Sequence, residues 1–216
     1  MPDLALSSTN APLINLALAL RQATAAAHAN IERLPMMSRL TSLSVTREDY
    51  RDYLQMLASL YVPLETALYA GLNESLRETL GIRPKLSALR HDLEEQGGIW
   101  PNIMANLSPE CLDLSGLEGA SLAVGGLYVL EGATLGGRTI ARHLRQVLGD
   151  ALGSATFLDF HGTQTSDVWK QFAAALNQLA AQGTLQPDVV IAGALKVFEQ
   201  VHQCFGQAVP ASLRHT

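Results

Sequence analysis

Two sets of residues have the types and spacing to do chemistry. His28 and Glu32 stand four apart in LRQATAAAHANIE, so on a helix they share a face one turn from each other. Such a histidine can ligate a metal through one ring nitrogen while the other donates to the carboxylate, or the two can form an ordinary surface pair. The second set is GGLYVLEGATLGGRT, Gly125 to Thr139, which places five glycines in an otherwise apolar run. From Gly132 to Thr139 it nearly matches the phosphate-cradling pattern G-x-x-x-x-G-K-[ST], with Arg138 in the lysine position.

The elements that must carry these residues are helical. Leu16 to Leu34 is rich in Ala, Leu, Arg and Gln, and Pro35 is expected to stop it. Thr46 to Asp49 has the form of a capping box and opens a long amphipathic run to Gly71, which Pro63 is expected to kink. Lys85 to Gln96 follows Pro84 and ends at Gly97 and Gly98, a common helix terminus. A second capping-box pattern, Ser115 to Glu118, starts a helix that continues to about Leu148, through all five glycines. Two more runs, Thr165 to Gln182 and Pro187 to Gln207, are amphipathic. No alternating strand and no internal repeat is present.

This pattern argues against the phosphate loop, which needs a buried strand before its first glycine and a parallel sheet around it. The glycines belong to a helix, where each costs about 1 kcal/mol relative to alanine. They could allow close helix packing through Gly132-x-x-x-Gly136, or let the helix bend and expose its backbone over a flat ligand. Ala25, Ala26 and Ala27 leave room beside His28 for something broad. No second histidine or carboxylate completes a non-haem iron set, whereas one histidine opposite a glycine-opened helix suits a haem sandwich.

Composition narrows the alternatives. The chain has 216 residues, 48% hydrophobic and 16% charged, enough to bury a core without disulfides. A net charge of -5 disfavours general nucleic-acid binding. Cys111 and Cys204 form no CxxC pattern, and no apolar run reaches the ~20 residues of a membrane span. A cytoplasmic protein is expected, with a flexible leader over residues 1–15, one domain over 16–208 and a tail over 209–216.

LRQATAAAHANIE together with LYVLEGATLGGRTIARHL, Leu127 to Leu144, resembles the haem oxygenase family, in particular its bacterial biliverdin-producing branch. FLDFHGTQTSDVWKQF, Phe157 to Phe172, extends the likeness over residues 16 to 206. The resemblance implies an all-α bundle with haem between a proximal and a glycine-rich distal helix. It implies His28 as the iron ligand and Glu32 as acceptor of the His28 Nδ1 hydrogen. Gly132, Gly136 and Gly137 map to the distal glycines, which leave space for dioxygen. Arg21, Tyr128 and Lys170 map to propionate-side positions, with Thr24 and Ala133 also against the cofactor. Ala133 departs from the aspartate that many relatives carry there, so the proton path is unassigned; Thr134 offers one hydroxyl.

The activity so implied is cleavage of haem by dioxygen to biliverdin, carbon monoxide and ferrous iron. With no flavin or nicotinamide motif, electrons would come from an external reductant, a ferredoxin or flavoprotein. Arg138, Arg142 and Arg145, at helical spacing, offer either a docking face for it or a solvated stripe. A bilin-accepting photoreceptor is a further partner the resemblance suggests; nucleic acid and membrane are not. The alternatives are a haem carrier or sensor on the same fold, or a helical interaction module in which the glycines only pack helices. The remaining histidines, His91, His143, His161, His202 and His215, are read as surface or satisfied polar residues, with His161 singled out because the resemblance brings its FHG segment towards the haem side.

Overall fold

The computed structural model describes the backbone of residues 15–101 and 116–207. The leader apart from Asn15, the 209–216 tail, Cys111, His215 and the capping box begun by Ser115 lie outside the described residues or their side chains. Eight α-helices and no strand make up the described residues: α1 Leu16–Glu32, α2 Pro35–Leu40, α3 Arg47–Ala70, α4 Glu74–Leu80, α5 Leu86–Glu95, α6 Gly116–Leu148, α7 Thr165–Ala181 and α8 Pro187–Gln207.

Local chemistry sets the ends. The Asn15 side chain accepts the Leu18 amide at the start of α1, and Thr46 and Asp49 form the expected reciprocal capping box on α3. Two short helices were not evident from the sequence. Pro35 does follow the end of α1, but it also occupies the first turn of α2, where its missing N–H is no loss. Asn73 caps α4, which closes on Gly81 in the left-handed region at φ 64°. Helix α3 continues through Pro63 to Ala70 without interruption.

The core gathers around α6. Its Ala123, Val124 and Leu127 are fully buried, and the helix packs on α3, α7 and α8. The α6–α8 contact is a backbone approach. A Cβ on Gly125 would lie 2.0 Å from the Val190 carbonyl oxygen, and one on Gly193 would lie 2.2 Å from that of Leu122. Gly126 faces the Leu68 methyls of α3 and Val197 of α8. Any larger residue here would force the helices apart.

Between α6 and α7 the chain makes a 3₁₀ turn, Gly149–Leu152, and then an irregular segment that includes Ala155 at φ 51°. Helix α5 holds this segment. Asp92 accepts hydrogen bonds from the amides of Thr156 (3.0 Å) and Phe157 (2.7 Å) and from the Ser154 hydroxyl (3.0 Å). Glu95 accepts from the Ser154 amide and hydroxyl, and these bonds lower its pKa. Tyr61 of α3 meets Phe157 edge to face at 5.2 Å.

Candidate functional site

Helices α1 and α6 both pack on α7 and α8, and they meet each other only sparsely. Helix α1 buries Leu16, Leu20 and Thr24, all in its first half. Its second half presents His28 and Glu32, whose side chains are 63% and 64% exposed. Nδ1 of His28 lies 3.6 Å from Oε1 of Glu32, an ion-pair distance beyond a good hydrogen bond. The imidazole also stands edge-on to Phe198 of α8, with ring centroids 6.2 Å apart.

The glycines of α6 divide into two kinds. Among the described residues a Cβ on Gly136 would meet nothing within 4 Å, and one on Gly132 would make ordinary contact with the Trp169 ring at 3.6 Å. Gly137 points the other way, where a Cβ would come within 2.7 Å of the Leu158 carbonyl oxygen. The Gly132-x-x-x-Gly136 spacing therefore does not seat a neighbouring backbone. Helix packing through glycine occurs at Gly125 and Gly193 instead. Ala133 and Leu135 are exposed beside the open stretch, while Thr134 is buried and its hydroxyl donates back to the Glu131 carbonyl at 2.7 Å.

Three of the residues expected at the cofactor come together. Tyr128 of α6 lies near Thr24 of α1, and Thr24 and the charge of Arg21 both act on its phenol. Burial raises the pKa of its phenol, against the opposing effect of those two partners. The Thr24 hydroxyl also donates to the Leu20 carbonyl at 2.8 Å. The Tyr128 ring leans on Trp169 of α7 at 5.4 Å, so Trp169 joins Tyr128 to the Gly132 stretch. Lys170 stands apart, exposed and paired with Asp167 at 3.2 Å.

Sequence reasoning missed Trp169 and a buried polar network on the inner side of α6. Glu131, 3% exposed, accepts a hydrogen bond from the Lys85 ammonium through one oxygen. Its other oxygen lies 3.2 Å from Nε2 of His161, and Arg83 Nη2 lies 3.2 Å from the His161 Nδ1. A guanidinium can only donate, so Nδ1 accepts and Nε2 carries the hydrogen donated to Glu131. Burial tends to raise the Glu131 pKa, but the His161 hydrogen bond and the Lys85 charge outweigh it and the pKa is lowered. Glu65 accepts the amides of Lys85 and Leu86 at 2.8 and 3.1 Å, yet burial dominates and raises its pKa. One signal was present in the sequence: a glutamate inside the apolar run LYVLEGA.

The other candidates are dispersed. His91 is exposed beside Asp92 and Glu95, His143 Nε2 contacts the Ser42 carbonyl at 3.0 Å, and His202 is exposed. Arg138 and Arg145 share Asp159, at 3.7 and 3.3 Å, while Arg142 is exposed. Cys204 is a half-buried free thiol. No helix among the described residues is long and apolar enough to cross a membrane.

The bundle is of a known kind, an all-α fold shared with bacterial haem oxygenases. It superposes on the structure of haem oxygenase from Leptospira interrogans with a TM-score of 0.67, at 17% identity, over 90% of this chain and 100% of that one. Haem oxygenase-1 of the cyanobacterium Synechocystis, crystallised in complex with haem, aligns with a TM-score of 0.63, at 17% identity, over 90% and 92% of the two chains. A curated "Heme oxygenase" of Xanthomonas campestris pv. campestris is 32% identical over 147 residues, covering 63% of this chain and 81% of that protein. The family model described as "Heme oxygenase" matches residues 14–207. The chain belongs to the haem oxygenase family.

Proposed function

We propose that this protein is a haem oxygenase that binds haem between α1 and α6 and opens it to biliverdin, carbon monoxide and ferrous iron. The observation that carries the reading is Gly136. It sits inside a helix at a cost of about 1 kcal/mol relative to alanine, and among the described residues no neighbour comes within 4 Å of where a Cβ would stand. Packing among the described residues does not explain this glycine; a ligand lying on the helix would. The donor set suits haem, since His28 offers an exposed imidazole with a carboxylate near Nδ1, and Arg21 brings a positive charge that acts on Tyr128 and would serve a propionate.

His28 would hold the iron, with Glu32 accepting its Nδ1 hydrogen and favouring the tautomer that leaves Nε2 free to bind. Arg21, Tyr128 and Thr24 would orient the propionate edge, Lys170 would add a positive charge, and Ala133 would line the distal face. Gly132 and Gly136, with Gly137 behind them, would admit dioxygen against the helix backbone. Haem, when bound, supplies the iron that activates dioxygen against a meso carbon of its own porphyrin. The electrons would come from a cytoplasmic ferredoxin or flavoprotein docking near Arg138, Arg142 and Arg145, and a bilin-accepting photoreceptor would take up the product.

An absorption titration with hemin, for wild type and His28→Ala, followed by ascorbate in air with catalase present, tests this reading. Saturable one-to-one binding altered by His28→Ala, then loss of the Soret band with a biliverdin spectrum, is expected. Binding with a persistent Soret band would instead identify a carrier.

A further inference from the structure

The geometry points to Glu131 as a positioning residue that fixes where the Gly132–Gly136 stretch of α6 lies over its ligand. This rests on the haem reading above. Glu131 touches no substrate in this assignment; it acts through the helix.

Helix α6 has little of its own to keep the stretch in place. Gly132, Gly136 and Gly137 remove three side chains within six residues, and the outward face has no neighbour at Gly136 among the described residues. What holds the stretch lies on its inner side and comes largely from one short segment. Glu131 meets His161, the bare face of Gly137 seats against the Leu158 carbonyl, and Arg138 reaches Asp159. Residues 158–161 thus run along the glycine stretch like a splint. The splint is itself tied to α5, through the Thr156 and Phe157 amides on Asp92.

Of these three fastenings the Glu131 end is buried and fully specified. Both carboxylate oxygens have partners, one on Lys85 and one on His161. Arg83 occupies the remaining ring nitrogen of His161 and so sets its tautomer. Lys85 is positioned through its own amide on Glu65. The charged and titratable groups around Glu131 are Lys85, His161, Arg83 and Glu65, together with the phenols of Tyr61 and Tyr69 on α3. Directed bonds to an ionised group confine a helix more narrowly than apolar contact does. They do so one residue before Gly132, the first glycine of the proposed distal surface.

The test uses the full chain carrying Glu131→Gln, and separately the volume-matched apolar pair Lys85→Met/Glu131→Leu. Replacing a buried ion pair in this second way commonly preserves folding. Two quantities are read on the hemin complex: the single-turnover rate constant of ring opening with ascorbate and catalase, and the pH at which the ferric Soret band undergoes its alkaline shift. Both refer to protein that has bound hemin, so neither depends on how much of the variant folds. Ring opening is expected to slow about tenfold or more in both variants, as misplacement of a reacting surface does. The alkaline shift should move, and hemin affinity should stay as in wild type.

Unchanged ring opening and an unchanged alkaline shift in both variants would make the network a stability device only and overturn the assignment. So would wild-type behaviour restored by the apolar pair, because packing would then serve as well as directed bonds. The wild-type control separates the two readings. If wild type neither binds nor opens hemin, the haem reading fails and this assignment falls with it. If wild type opens hemin and the variants match it, this assignment alone is wrong.

Discussion

The two halves of α6 use the same residue for opposite ends. At Gly125 the missing Cβ is filled by another helix, 2.0 Å from the Val190 oxygen. At Gly136, three turns on, it is filled by nothing among the described residues. The first glycine stabilises the fold by letting two backbones touch; the second weakens its helix and returns nothing to packing. Spacing cannot tell them apart, since the sequence shows only five glycines in one run. What would stand against an added methyl does.

Substitutions can break or sharpen this contrast. Gly125→Val should cost the most, about 3 kcal/mol or more, because the intruding atoms meet backbone that cannot step aside; urea unfolding measures it, and a loss below 1 kcal/mol would argue against so close a contact. Glu131→Gln should cost about 2 kcal/mol near neutral pH by leaving buried donors poorly matched. The lowered Glu131 pKa means that its ionisation stabilises the fold above the ordinary carboxylate value of 4.5 and that this contribution is lost as pH falls through the lowered value. The gap between wild type and Glu131→Gln should therefore narrow in acid, and unfolding at several pH values would show a constant gap if the carboxylate were not held ionised.

Gly137→Ala, whose Cβ would stand 2.7 Å from the Leu158 oxygen, should destabilise by about 1 to 2 kcal/mol, read as a lower thermal midpoint. Gly136→Ala should be the smallest effect on stability and of opposite sign, a gain of up to about 1 kcal/mol. Ring opening of hemin should nevertheless slow. A destabilised Gly136→Ala, or one with wild-type turnover, would remove the distinction between the halves of the helix.

Much of the fold could be read in advance because long helices announce themselves. Apolar periodicity, Thr46 with Asp49, and the Gly97–Gly98 stop are local signals, and the structure follows them. Helices α2 and α4 escaped because each is only six or seven residues long, too short for a period to emerge. At the site, His28 and Glu32 were visible as a pair in the sequence, as was the glycine run. The Glu131 network was not, since Lys85 lies 46 residues before its partner in a proline-flanked loop and His161 lies 30 after. Only folding makes neighbours of such residues. The likeness of FHG to its relatives drew attention to His161 but not to its bond with Glu131.

The distribution of buried residues along α1 links occupancy to order. Leu16, Leu20 and Thr24 anchor its first half, whereas the turn bearing His28 has no fully buried residue. Backbone amides around His28 should therefore exchange with deuterium sooner than those near Leu20 in the ligand-free protein. A ligand gripped by the imidazole would close that difference, and tight binding would appear as slowed exchange and a raised melting point through mass action. The loosest turn of this helix thus becomes a gauge of whether the site is filled.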